Sequence, residues 1–107
     1  MSVLESFKQL KAEGKKIVVV TSYEYWSAKI LNDTDVNGIL IGDDLSMVIH
    51  GNENTMNCDV ETIALHTRAV KKGAKDKFLI AAMPFMSNRK GLVDAMDNVE
   101  TLMKAGA

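Results

Sequence analysis

The chain has 107 residues, 47% of them hydrophobic and 25% charged, with a formal net charge of −1. That balance is ordinary for a single globular domain and offers no basic field for nucleic acid or an anionic membrane. The longest basic cluster is Lys71-Lys72 with Lys75, and the single Cys58 excludes an internal disulfide.

Val3, Leu4, Phe7 and Leu10 recur at helical spacing, and Gly14 reads as the C-cap of that first helix. Ile17 to Thr21 is a continuous β-branched run, the pattern of a parallel strand buried on both faces. A short helix from Tyr23 to Leu31 is broken by Asn32-Asp33-Thr34-Asp35, and Gly38 to Gly42 forms a second strand. A long connection runs from Asp43 to Cys58, with turn-favouring Gly51, Asn52, Asn54 and Asn57. Loops longer than ~12 residues are uncommon in compact domains and are often functional. Asp59 is a good N-cap for a helix whose inner face is Val60, Ile63, Ala64, Thr67 and Val70, closed by Gly73. Phe78 to Ala82 is a third strand, and Met83-Pro84-Phe85-Met86 is a turn. Ser87 or Asn88 caps a last helix with Leu92, Ala95, Met96, Val99 and Met103 inward and Gly106 as its C-cap.

The order is a helix followed by three βα units, which predicts an α/β fold with a parallel sheet and right-handed crossovers. Three parallel strands leave two open edges. Residues 1–107 are therefore expected to be a single partial domain of a longer protein, and alone to oligomerise or aggregate. The amino terminus has no apolar core of a signal peptide, and nowhere do ~18 apolar residues run together, so no membrane association and a cytoplasmic location are expected.

Chemistry concentrates where the second strand ends, in Gly42-Asp43-Asp44-Leu45-Ser46-Met47. In parallel α/β proteins ligands bind at the carboxyl ends of strands, and acids placed there hold cations or do chemistry. The bland alternative is a solvated pair capping nearby backbone. Tyr23 follows the first strand and either lines the same mouth or packs on its rim. His50 and His66 read as surface or interface residues, no His/Cys spacing suggests zinc, and Met96 and Met103 read as core filler.

Several stretches together carry a family resemblance. They are Thr21-Ser22-Tyr23-Glu24-Tyr25, Gly42-Asp43-Asp44-Leu45-Ser46-Met47, Gly51 with Thr55, Ile63-Ala64-Leu65-His66-Thr67, Met83-Pro84-Phe85-Met86 and Met103-Lys104-Ala105-Gly106-Ala107. In this order and spacing the chain resembles the first two fifths of the ketopantoate hydroxymethyltransferases. The resemblance implies the N-terminal part of a (β/α)8 barrel. It implies transfer of a hydroxymethyl group from 5,10-methylenetetrahydrofolate to 3-methyl-2-oxobutanoate, a 2-oxo acid, in pantothenate biosynthesis. It also implies Mg2+ held by strand-top aspartates and a catalytic base beyond residue 107.

Carried over by position, Asp43 matches the first metal aspartate and a substrate contact. Asp44 stands where the family has a substrate-binding serine, and Tyr23 is a further substrate-binding candidate. Ser46 replaces a usual glycine. Ala82 replaces the second metal aspartate, which weakens the Mg2+ expectation. A catalytically degenerate relative is thus one alternative function. Another is a phosphoacceptor receiver module, but its acids would follow the first and third strands, which here lead to Ser22-Tyr23 and Ala81-Ala82. The isolated 107 residues are not expected to catalyse.

Overall fold

Ser2 and Glu5 start the chain's first helix by a reciprocal cap. The Ser2 hydroxyl accepts from Glu5 N at 3.2 Å, and the Glu5 carboxylate accepts from Ser2 N at 3.1 Å. A computed structural model describes residues 2–107. Helix α1 spans Val3–Ala12, and Gly14 takes a left-handed φ of 71° just beyond it. Then follow β1 (Val19–Thr21), α2 (Tyr25–Asn32), β2 (Gly38–Ile41), α3 (Leu45–Val48), α4 (Val60–Gly73), β3 (Phe78–Ala81) and α5 (Leu92–Ala105).

The three strands pair in parallel in the order β1-β2-β3, with Val19 opposite Gly38 and Gly38 opposite Phe78. Helix α4 packs on β2 and β3 and is flanked by α2 and α5. This is the α/β barrel-segment architecture expected from the sequence. Strand alternation sends Ile39, Ile41 and Leu79 into that helix layer, where they meet Ile63, Ala64, Val70 and Leu102. Ile39, Ile41, Leu45 and Ile63 are completely buried. Each such side chain contributes roughly 1.5–3 kcal/mol.

The opposite strand face carries Val19, Thr21, Gly38, Leu40, Phe78 and Ile80. Helix α1 reaches it at the amino end, where Phe7 meets Phe78 edge-on with ring centroids 5.5 Å apart. Val19, Phe78 and Ile80 remain 37–42% exposed. The strands are therefore fully buried on one face only, not on both as their apolar runs suggest, because on the opposite face only α1 makes contact, at the amino end.

Other boundaries also differ from the sequence reading. Strand β1 starts at Val19 rather than Ile17, because Val18 N is taken by the Asn37 side chain at 2.8 Å. Helix α2 starts at Tyr25, leaving Tyr23 in the preceding turn. The long connection contains α3, whose Leu45 is an anchor of the core. Helix α5 begins after Gly91, whose φ of 106° breaks the chain's path, and not at Ser87 or Asn88. Ser87 instead donates to the Pro84 carbonyl at 2.7 Å within the turn.

The inward face of α5 is also corrected. Leu102 and Ala105 are buried, whereas Leu92, Met96 and Met103 are at least 60% exposed. Two apolar stripes lie on this helix, and α4 covers the one that carries Leu102 and Ala105. The larger stripe faces outward.

Asp59 caps α4, accepting from Thr62 N at 2.8 Å and from the Thr62 hydroxyl at 2.6 Å. The Thr62 hydroxyl and amide hold its carboxyl below the usual carboxylate range. A depressed native pKa adds stability that is present above the unfolded value and is lost as pH falls through the native one. Asp59→Ala should cost about 1 kcal/mol in urea unfolding at neutral pH. Because Asp59 is exposed, only a fraction of that is electrostatic. The difference from the parent should shrink on acidification below the ordinary carboxylate range. A pH-independent difference would mean that the cap works without its charge.

Candidate functional site

The carboxyl ends of the three strands come together in one rim. Register places Ile41 opposite Ala81, and Ala82 N donates to the Ile41 carbonyl at 3.0 Å. The segment after β2 and Ala82 are thus immediate neighbours across two strand tops. Ser22 N donates to the Leu40 carbonyl at 3.2 Å, which fixes the exit of β1 beside them.

Beyond Gly42 the chain turns tightly. Leu45 N donates to the Gly42 carbonyl, and Ser46 N donates to the Asp43 carbonyl at 3.1 Å. The Asp44 side chain folds back over Gly42, where an added Cβ would lie 2.6 Å from Asp44 Oδ1. A side chain at residue 42 would have to push the Asp44 carboxylate aside. Asp44 sits at the start of α3 without capping it by its side chain. Its carboxylate lies beside the Tyr23 phenol. Burial first, and then this neighbouring charge, push the Tyr23 pKa above its ordinary value. The single phenol proton is thus engaged by Asp44.

Asp43 is half-buried, and its charge reaches Cys58. Burial first, then Asp43 and Asp59, raise the Cys58 thiol pKa. The thiol stays protonated and is a poor nucleophile. Asp43, Asp44 and Tyr23 are thus brought to one end of the sheet, as their positions in sequence imply. Ala82 stands beside them and offers no ligand atom. Among the described residues, no group of three or more His, Cys, Asp or Glu converges as a cation cage.

The rim contains residues that composition and spacing do not reveal. Ser22 is 3% exposed and shares a 2.6 Å hydroxyl contact with Ser27 on α2. Ser46, where a glycine was expected, is buried and useful. Its hydroxyl accepts from Asn52 Nδ2 at 2.9 Å and donates to the Asn54 carbonyl at 3.3 Å. It thereby folds the long connection over the rim. The sequence signals for Ser22 were its position directly after a strand and its place in the stretch Thr21-Ser22-Tyr23-Glu24-Tyr25.

An open groove of about 430 Å³, lined by none of Asp43, Asp44 and Tyr23, lies between this connection and the turn after β3. Cys58, Asp59, Phe85, Lys90 and Asn98 line it. No helix among the described residues is long and apolar enough to cross a membrane.

A family model described as ketopantoate hydroxymethyltransferase matches residues 2–107. The chain is similar to 3-methyl-2-oxobutanoate hydroxymethyltransferases from several bacteria. The one from Clostridioides difficile (strain 630) is 45% identical over 105 residues, covering 98% of this chain and 38% of that protein. The one from Coxiella burnetii (strain RSA 493 / Nine Mile phase I) is 48% identical over 101 residues, covering 94% and 38% respectively. The one from Bdellovibrio bacteriovorus is 46% identical over all 107 residues and 41% of its own length. The chain spans about two fifths of the length of these curated relatives.

Proposed function

Because the chain belongs to the ketopantoate hydroxymethyltransferase family, we propose that it forms the cation-holding and substrate-holding portion of a 3-methyl-2-oxobutanoate hydroxymethyltransferase. The observation that carries this reading is the joint placement of Asp43, Asp44 and Tyr23 at the strand tops. The cytoplasm is the corresponding location. The remaining barrel strands complete the substrate pocket and supply the base, because a (β/α)8 site draws on several strand ends.

The donor chemistry fits magnesium. That ion takes hard oxygen ligands, keeps several waters, and is often held by one or two carboxylates plus substrate oxygens. Asp43 would hold it, with Asp44 as the nearest additional carboxylate. When bound, Mg2+ supplies positive charge to the oxygens of the 2-oxo acid.

The chain's own residues have separable tasks. Asp44 accepts from the Tyr23 phenol and so holds that ring at the rim, where it lines the substrate pocket. Asp44 also closes the turn over Gly42, and Ser46 holds the long connection as a partial cover against water. The hydroxymethyl group arrives from 5,10-methylenetetrahydrofolate. The exposed strand-face residues Val19, Phe78 and Ile80 need apolar cover, which further barrel strands or a second copy would provide.

Ala82 motivates a second reading, a family member that keeps the fold without turnover. The test is magnesium titration by calorimetry on the protein with the remaining barrel strands supplied and on its Ala82→Asp variant. A second carboxylate beside Asp43 should tighten binding at least about tenfold, or about 1.4 kcal/mol. Unchanged affinity would show that residues 43 and 82 do not share a cation. Turnover of the parent sequence, with the remaining strands supplied, would exclude the inactive reading.

A further inference from the structure

The two histidines of the chain, distant in sequence, meet. His50 comes from the connection after α3, and His66 comes from the middle of α4. Their Nε2 atoms lie 3.0 Å apart, with ring centroids at 5.2 Å and ring planes at 82°. His66 Nδ1 contacts the Tyr23 carbonyl. A carbonyl only accepts, so His66 Nδ1 carries the proton, and in the neutral ring the Nε2 lone pair accepts from His50 Nε2–H. That lone pair faces His50. Metal-ligating histidines are commonly oriented in this way, by donating the other ring N–H to a backbone carbonyl.

We propose that His50 and His66 form a two-imidazole site for a divalent transition-metal ion such as Zn2+, distinct in its ligands from the Asp43 rim and joined to it through Tyr23. The spacing supports it. Two imidazoles on one tetrahedral ion, with metal–nitrogen bonds of about 2.05 Å, place their ring centroids about 5.2 Å apart and their nitrogens about 3.3 Å apart. The centroids already stand at that separation. The nitrogens open by about 0.3 Å and each ring turns by roughly 20°, so that the lone pairs converge on the ion instead of on each other. His50 changes tautomer to Nδ1–H, so two Nε2 lone pairs face the ion and the net proton count is unchanged.

His50 is exposed and His66 half-buried, so an ion can enter from solvent. No third His, Cys, Asp or Glu among the described residues joins the pair, so water fills the remaining positions. Imidazole ligands favour zinc, copper and nickel, whereas magnesium prefers oxygen donors. Binding would staple the long connection to α4 and, through the Tyr23 carbonyl, to the turn after β1.

The test is Zn2+ titration by calorimetry on the chelator-stripped chain. One ion per chain is expected, undisplaced by excess Mg2+. His50→Gln and His66→Gln should each weaken binding at least about tenfold, and Cys58→Ser should leave it unchanged. His66→Gln also removes the anchor on Tyr23, so if that variant fails to fold, His50→Gln alone decides. No zinc uptake by the parent, wild-type affinity in His50→Gln, or loss of binding in Cys58→Ser would overturn the site.

Discussion

With the remaining barrel strands supplied, Asp43→Asn is expected to abolish hydroxymethyl transfer. The substitution keeps the size of the side chain and leaves the tight turn intact, since the Asp43 carbonyl, not its carboxylate, accepts from Ser46 N. It removes the one carboxylate at the rim that matches a family metal ligand. Ala82 provides no replacement, so loss of this charge leaves Asp44 as the only neighbouring acid. Electrostatic stabilisation by a bound cation is worth several kcal/mol, so the rate should fall on the order of a thousandfold or more. Two measurements check this: methylenetetrahydrofolate-dependent turnover, and Mg2+ titration of the same variant. Both should fall together. Wild-type turnover in Asp43→Asn would show that Asp43 is not the anchor.

Gly73→Ala is expected to be the most damaging single-methyl change in the fold. Gly73 is fully packed at the end of α4 against α2. A Cβ there would lie 2.5 Å from the Tyr25 carbonyl oxygen, 2.9 Å from Lys29 N and 3.0 Å from the Ala28 Cβ. Two of these atoms are backbone, so no rotamer change relieves the overlap, and α2 must move. Alanine gains about 1 kcal/mol over glycine in a helix interior. Overpacking costs about 1–3 kcal/mol and occasionally more, and the clash with two backbone groups puts this site at the upper end. A net loss of about 2 kcal/mol should lower the melting temperature by roughly 8–16 °C. The displacement of α2 should also disturb Ser22–Ser27 at the rim. A stabilised Gly73→Ala would show that the two helices pack more loosely than described.

Gly73 also shows what the sequence could and could not reveal. Its place at the end of a periodic apolar stretch marked a helix end correctly. Its reason for being glycine, the approach of a second helix, is a tertiary fact with no local signal. Asp59 was legible because a cap acts within three residues. The three strands were legible because parallel strands are short apolar runs. The burial of only one strand face was not, since it depends on what lies opposite. The outward stripe of α5 was misjudged because side-chain size cannot decide which of two apolar faces a neighbouring helix prefers.

At the rim, Asp43 and Asp44 stood out through their position after a strand. Ser46 looked like a mere departure from pattern, yet it ties down Asn52 and Asn54. His50 and His66 read as unrelated surface residues, and nothing short of the fold of the long connection could bring them together.

The contact between Phe7 and Phe78 has a consequence for the order in which the chain matures. At about 5–20 residues per second of synthesis, Phe7 waits roughly 4–14 s before Phe78 has even been polymerised. Helix α1 is thus made well before the strand on which it docks. A ten-residue helix is marginal in water without tertiary support. During that interval the mutual Ser2–Glu5 cap is the local feature that biases the emerging segment toward the shape it will need. Its value is expected to lie in the speed of docking more than in the final stability of the finished fold.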